Sequence, residues 1–480
     1  MRLNLFFAIV WVLLSPVCGF PVEPELPSND PFYIVPKDIE KYSEGEIIRS
    51  RPSPAKLRGV FQPINIQDSW QYLVRTTNSR GKPTAVVTSV LKPYNADKTK
   101  VLSYQFAQDS PSIDCSPSYS ILHGASMNTL ILQLEMYVIS LALARGWYVV
   151  TPDHEGPNSA FAIAKIAGKI TLDSIRAVLK TEDTTGIDPK AKVALWGYSG
   201  GTVPTSWAAI LQPEYAPELS QNLVGAACGG WLTNLTNAAL AMDGKYSAGL
   251  IPLAIHGLMN EYPELSEKIA SVITNEDQHN EFLRASNYCL LESFPKFAFK
   301  EFFKGNNPIF SIGTQIFEIP EIKRILTDNV VGLNASNGVP KIPLFVYQGM
   351  QDEIIPYVQA ERGFERLCAL GVESFELALS KNTGHIGEML QGVGAALKWV
   401  EDRFAGLPPK KGCVKEIRET NLAYEGADLS FYKLFRASWE SILGWEVGRF
   451  ASVAKIPLAA QFVFDALRGV LEALGPVPMR

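Results

Sequence analysis

Ser199 stands between glycines in the run Gly197-Tyr198-Ser199-Gly200-Gly201, directly after the apolar segment Ala191 to Trp196. A hydroxyl placed in this way can do nucleophilic chemistry. A strand that feeds straight into a helix turns so sharply that the residue at the turn takes strained backbone angles, and side chains beside it would clash. Glycines on both sides of Ser199 remove that clash. Val193, Leu195 and Trp196 supply the β-prone approach, and Thr202 to Leu211 reads as the helix that follows, with Pro204 in its first turn, where proline is tolerated. The bland alternative is a glycine-rich turn with an ordinary serine, and the strand-to-helix context argues against it.

A serine of ordinary acidity is a poor nucleophile, so it needs a histidine base and a carboxylate that orients the base, in the chain order Ser, acid, His. Three of the five histidines follow Ser199. His256 and His279 lie in a long, mostly helical stretch. His385 closes a segment that reads as strand then loop, after Phe375 to Leu379 and before the apolar-periodic run Met389 to Val400. The acid should end the preceding strand, and Ile342 to Tyr347 runs into Gln348-Gly349-Met350-Gln351-Asp352-Glu353. Asp352 is the expected acid, because a turn after a buried strand is its usual place. Glu353 competes, since its longer side chain could reach the same imidazole. In such a set His385 takes the Ser199 proton and returns it to the leaving alcohol, while Asp352 holds the ring tautomer. The oxyanion also needs fixed donors. The backbone amide of Gly200 is one, and that of Asp109, in the loop after the strand Val101 to Phe106, is the best offer for the second. The plain reading of Asp109 is a surface carboxylate.

Together, Trp147-Tyr148-Val149-Val150-Thr151-Pro152-Asp153-His154-Glu155-Gly156, the segment Val193 to Gly201, the segment Val224 to Gly230, and the Asp352 and His385 segments resemble the fungal secretory lipase family over roughly residues 32–413. The resemblance implies an α/β-hydrolase fold with a mainly parallel central sheet and an inserted helical cap, and it supports Ser199, Asp352 and His385 as a triad. It matches Asp109 to the family's oxyanion-hole aspartate. It also suggests the disulfides Cys115–Cys289 and Cys368–Cys413. His154 precedes the nucleophile, and its local chemistry reads as structural.

The elements that must hold these residues are visible in outline. A chain of 480 residues with 47% hydrophobic content can bury a large core, and a net charge of −5 gives no reason to expect nucleic acid as a partner. Residues 1–19 read as a secretory signal, with Arg2 before the apolar run Leu3 to Leu14, too short to span a bilayer as a mature helix. Removing Cys18 with that signal leaves five of six cysteines, an odd number; connectivity cannot be read from sequence alone, and Cys228, in an apolar strand candidate, reads as a buried free thiol. Asn234 and Asn334 begin glycosylation triplets.

Residues 20–57 read as an extended N-terminal segment and 58–232 as the first part of the hydrolase core. Tyr72 to Thr76 and Thr84 to Leu91 should form a hairpin that opens the sheet. Strands then alternate with helical stretches such as Thr129 to Ala144 and Ala160 to Leu179, the pattern of a parallel sheet covered on both faces. Residues 233–330 interrupt it with helices and no convincing strand, a cap in which Leu250, Ile251, Leu253, Ile255, Leu258 and Met259 line an acyl pocket or simply pack a helical core. Residues 331–413 complete the hydrolase core. Residues 414–480 form an extension whose stretch Ile456 to Leu474 places apolar side chains near helical spacing.

The function expected from these features is that of a secreted serine carboxylester hydrolase of the lipase type. No cofactor and no metal is expected, the partner is an ester substrate, the C-terminal stretch packs against the body or cap or else meets a lipid interface, and no transmembrane segment is expected. The same triad and cap would also serve an esterase that removes acetyl groups from a secondary metabolite such as a toxin or terpenoid. A non-catalytic binding protein on a hydrolase scaffold is the remaining alternative.

Overall fold

The computed structural model describes residues 23–59, 63–427 and 446–449. The expected signal segment and the stretch Ile456 to Leu474 therefore lie outside the described residues. Ten strands form one sheet: β1 (Ile47–Pro52), β2 (Asp68–Thr77), β3 (Pro83–Lys92), β4 (Asp97–Gln105), β5 (Trp147–Pro152), β6 (Lys192–Tyr198), β7 (Leu223–Gly229), β8 (Leu344–Gly349), β9 (Ser374–Ser380) and β10 (Gly412–Arg418). Their spatial order is β1-β2-β3-β5-β4-β6-β7-β8-β9-β10. The first three strands pair antiparallel, β3 joins β5 antiparallel, and every later pair is parallel.

The central parallel strands are buried on both faces, which is why they read as near-continuous apolar runs. β5 and β8 are buried along their whole length, and β6 exposes only Lys192. One apolar core packs helices Ala164–Val178, Thr202–Tyr215 and Tyr357–Ala369 against one face, and a second packs Leu130–Ala144 and Val393–Phe404 against the other. Leu130–Ala144, with the turn before it, is long and apolar enough to cross a membrane. Its buried Leu132, Met136, Ile139 and Leu143 are instead part of the protein core.

Two edge strands were not among the expected elements. β1 precedes the hairpin that was expected to open the sheet, and β10 carries the sheet past Cys413 to Arg418. Both carry mixed burial, so neither shows an apolar run. Between β7 and β8, helices Leu235–Met242, Leu250–Glu261, Ser266–Ala270, Glu276–Arg284, Leu290–Phe297 and Pro320–Asp328 form a helical cap around a separate apolar core. Phe303 packs against Phe310 and Phe317 there, with ring centroids 5.7 and 4.7 Å apart.

Cys115, just after β4, bonds to Cys289 in the cap, with 5.6 Å between Cα atoms. Cys368 of helix Tyr357–Ala369 bonds to Cys413 of β10 at 6.1 Å. Cys228 is a free, buried cysteine in β7, and burial pushes its thiol pKa up. Glu446 and Gly448 form single bridges to Asn65 and Tyr94, so the chain returns to the antiparallel end of the molecule.

Candidate active site

Ser199 follows β6 and precedes helix Thr202–Tyr215, at a backbone φ of 52°, a left-handed conformation rare for a residue with a side chain. The turn is crowded enough to require its glycines. A Cβ on Gly197 would collide with the Gly201 carbonyl, and one on Gly201 with the Gln105 carbonyl of the neighbouring β4. Strain held in place by such contacts fixes the hydroxyl at the end of the sheet.

His385 and Asp352 reach the same point from the ends of β9 and β8. His385 Nε2 lies 2.9 Å from Ser199 Oγ, and His385 Nδ1 lies 2.8 Å from Asp352 Oδ2. The carboxylate is itself fixed. Asp352 Oδ1 accepts the amides of Ile354 and Ile355 at 3.0 and 2.7 Å, and Oδ2 accepts the Gln348 side-chain amide at 2.8 Å. The Tyr198 hydroxyl donates to the His385 carbonyl at 2.6 Å, so the residue before the serine also anchors the histidine. Glu353 does not take the imidazole; it accepts the His385 backbone amide at 3.0 Å. Of the other histidines after Ser199, His256 is buried in the cap with Nε2 at 2.7 Å from the Phe282 carbonyl, and His279 Nδ1 lies 3.4 Å from the Ile273 carbonyl.

Asp109 also has a left-handed φ, 49°, and is buried beside Gly200, where an added Cβ would strike its carboxyl. Burial pushes this carboxyl up to about 7, against the opposing pull of His385. The loop that presents it is held by buried polar groups. Glu135 accepts the Tyr104 hydroxyl at 2.7 Å and the Ala107 amide at 3.0 Å, and burial raises its pKa to about 8. His154 Nε2 meets the Phe106 carbonyl at 2.8 Å, and burial lowers its pKa to about 4, keeping the ring neutral. Asp153 accepts the Ser118 amide and hydroxyl, and burial raises it to about 7. The Glu155 carboxyl, raised chiefly by burial and next by Asp109, lies against the amides of Ser110 and Asp109 without meeting either at hydrogen-bond geometry.

An apolar cavity opens over Ser199, Gly200 and Asp109 and runs into the cap. Leu250, Ile251, Ile255 and Leu258 line it, together with Phe161, Phe303 and Phe317, whereas Leu253 and Met259 pack within the cap core. All six of these helix residues belong to the cap core, and four of them also line the cavity, so the apolar helix serves both readings. Asn334 is exposed, while the half-buried Asn234 caps helix Leu235–Met242 by accepting the Asn237 amide at 3.0 Å.

Gln348, Glu135 and the Tyr198 hydroxyl were not among the expected site residues. Glu135 and Tyr198 contribute through contacts distant in sequence, whereas Gln348 reaches Asp352 only four residues along the chain.

Residues 121–412 match the secretory lipase family. Lipase 5 of Candida albicans is 40% identical over 440 residues, covering 92% of this chain and 94% of that relative. Lipase A of Arthroderma benhamiae is 34% identical over 465 residues, covering 93% and 96%. Among solved structures, lipase A of Candida antarctica superposes with a TM-score of 0.76 at 28% identity, covering 90% of this chain and all of that one. An esterase from Xanthomonas oryzae that degrades rice cell walls shares the fold at 14% identity and a TM-score of 0.56. With its α/β-hydrolase sheet and these relatives, the chain belongs to the secretory lipase family and is a carboxylic ester hydrolase of the lipase type.

Proposed function

We propose that the chain is a secreted lipase that hydrolyses acylglycerols or similar long-chain esters through an acyl-enzyme on Ser199, with His385 as base and Asp352 as its orienting acid. The observation that carries this reading is the unbroken path from Asp352 through His385 to Ser199, 2.8 and 2.9 Å, opening on an apolar cavity. Ser199 Oγ attacks the ester carbonyl as its proton passes to His385 Nε2, giving a tetrahedral oxyanion. Collapse expels the alcohol, which takes that proton, and leaves the acyl group on Ser199. Water then repeats the sequence and releases the fatty acid.

The Gly200 amide, on the turn after Ser199, is the first oxyanion donor. Asp109, whose carboxyl is buried against Gly200, completes the hole in this reading. The apolar cavity supports a long acyl chain, each buried methylene contributing about 0.8 kcal/mol to binding. The two disulfides and the family's secretory character support export.

The test is hydrolysis of an ester series from acetyl to long-chain acyl, with emulsified triacylglycerol, for the wild type and Ser199→Ala. The expected result is turnover of long chains and emulsion, lowered by about four orders of magnitude or more in the variant. Activity confined to acetyl or butyryl esters would redirect the assignment to a small-acyl esterase. Retained activity in Ser199→Ala would remove the nucleophile.

A further inference from the structure

Glu353 was the rival for the triad acid, and its side chain goes elsewhere. One carboxylate oxygen accepts the His385 backbone amide at 3.0 Å, and the other accepts the hydroxyl of Tyr246 at 2.7 Å. Tyr246 belongs to the cap, in the turn Tyr246–Gly249 that leads into helix Leu250–Glu261. Gly384 makes room for this arrangement: an added Cβ there would come within 2.6 Å of the Glu353 carboxylate.

We propose that Glu353 is a positioning residue that ties the cap to the catalytic histidine, so that the seating of the cap is read directly by His385. The proposal rests on the reading of His385 as the base. With the cap seated, Tyr246 holds the Glu353 carboxylate against the His385 amide. When Tyr246 lifts away, the carboxylate loses one of its two anchors and the histidine loop loses part of its support.

The carboxylate is a charge as well as a tether. Burial would raise the pKa of Glu353, but the His385 amide and the Tyr246 hydroxyl overcome this and hold it below the ordinary glutamate value. It is therefore an anion beside His385. The other groups facing His385 are Asp352 on Nδ1, Ser199 on Nε2, the buried Asp109 carboxyl, and Tyr198, whose ring centroid lies 5.3 Å away. Glu388 is buried one turn along the helix His385–Gln391 that begins at the histidine, against Thr383 and Asn421.

The tether and the charge can be separated by substitution. In Glu353→Gln the side-chain oxygen still accepts the His385 amide and its NH₂ donates to the Tyr246 oxygen, but the charge is gone. Loss of a nearby anion disfavours the imidazolium, so the acid limb of the kcat/KM profile should move to lower pH by about 0.5 unit. Tyr246→Phe keeps the charge and cuts the tie. It should lower kcat about threefold on a soluble short-chain ester, leave KM unchanged and leave the acid limb in place. Both sites are partly exposed, so melting temperatures should stay near wild type.

In the cycle of Glu353→Ala, Tyr246→Phe and the double variant, the double should be no slower than Glu353→Ala alone, because both changes break one connection. An acid limb that does not move in Glu353→Gln, or single losses that multiply in the double variant, overturns the proposal. His385→Ala separates the two readings. If that enzyme keeps its turnover, the base assignment fails and the tie with it; if it is inactive while the limb is immobile in Glu353→Gln, the tie alone fails.

Discussion

Asp109 puts a second ionisable group beside the nucleophile. Its carboxyl, pushed up to about 7 by burial, is largely neutral in mildly acidic solution and becomes an anion as the pH rises. In the proposed mechanism an anion next to Gly200 opposes the developing oxyanion, so kcat/KM should fall on the alkaline side as Asp109 ionises. Asp109→Asn should remove that alkaline limb while the acid limb remains, which a pH profile on a soluble ester will show. At this scale the sequence is most legible where turn chemistry dictates residue type. Ser199 between its glycines, Asp352 after β8 and His385 after β9 can all be read from local pattern. The choice of Asp352 over Glu353 rested on turn position alone, because either carboxylate reaches the ring on paper. What decides it is the pair of amides from Ile354 and Ile355 that hold Asp352.

Elements were legible in proportion to how completely they are buried. β5, β6 and β8 are apolar because both faces are covered, and they stand out as runs. β10 alternates exposed and half-buried positions at the sheet edge and carries Lys415, Glu416 and Arg418, so its pairing with β9 shows only in three dimensions. The loop from β4 to Asp109 depends on a helix elsewhere in the chain: Glu135 of Leu130–Ala144 holds both Tyr104 and the Ala107 amide. Glu135→Ala should therefore loosen that loop, lowering kcat by about tenfold or more through loss of the oxyanion geometry while leaving the Ser199–His385 pair assembled. An organophosphonate that still labels the variant, combined with slow ester turnover, is the expected pattern. Equal loss of labelling and turnover would instead mean that the whole site had collapsed.

For the whole molecule, buried carboxyls set how stability responds to pH. Asp109, Asp153 and Glu135 titrate near 7, 7 and 8 when folded, against 3.8, 3.8 and 4.5 in their ordinary state. Between about pH 4 and pH 8 the folded protein holds protons that the unfolded chain has released, so stability is full below that window and falls as the pH rises through it. Calorimetric Tm should be several degrees lower at pH 8 than at pH 5, and Glu135→Gln should flatten the slope. Glycan should attach at exposed Asn334 ahead of the half-buried Asn234; peptide mapping after deglycosylation checks the order.

The bond from Cys115 to Cys289 spans 174 residues and joins the loop beside Asp109 to the cap. Closing so long a loop removes about 5 kcal/mol of freedom from the unfolded chain. It also changes what a protease can do to this enzyme. A cut anywhere between those two cysteines, including most of the cap, divides the polypeptide but cannot release either piece. A nicked molecule would run as one band without reductant and as two with it.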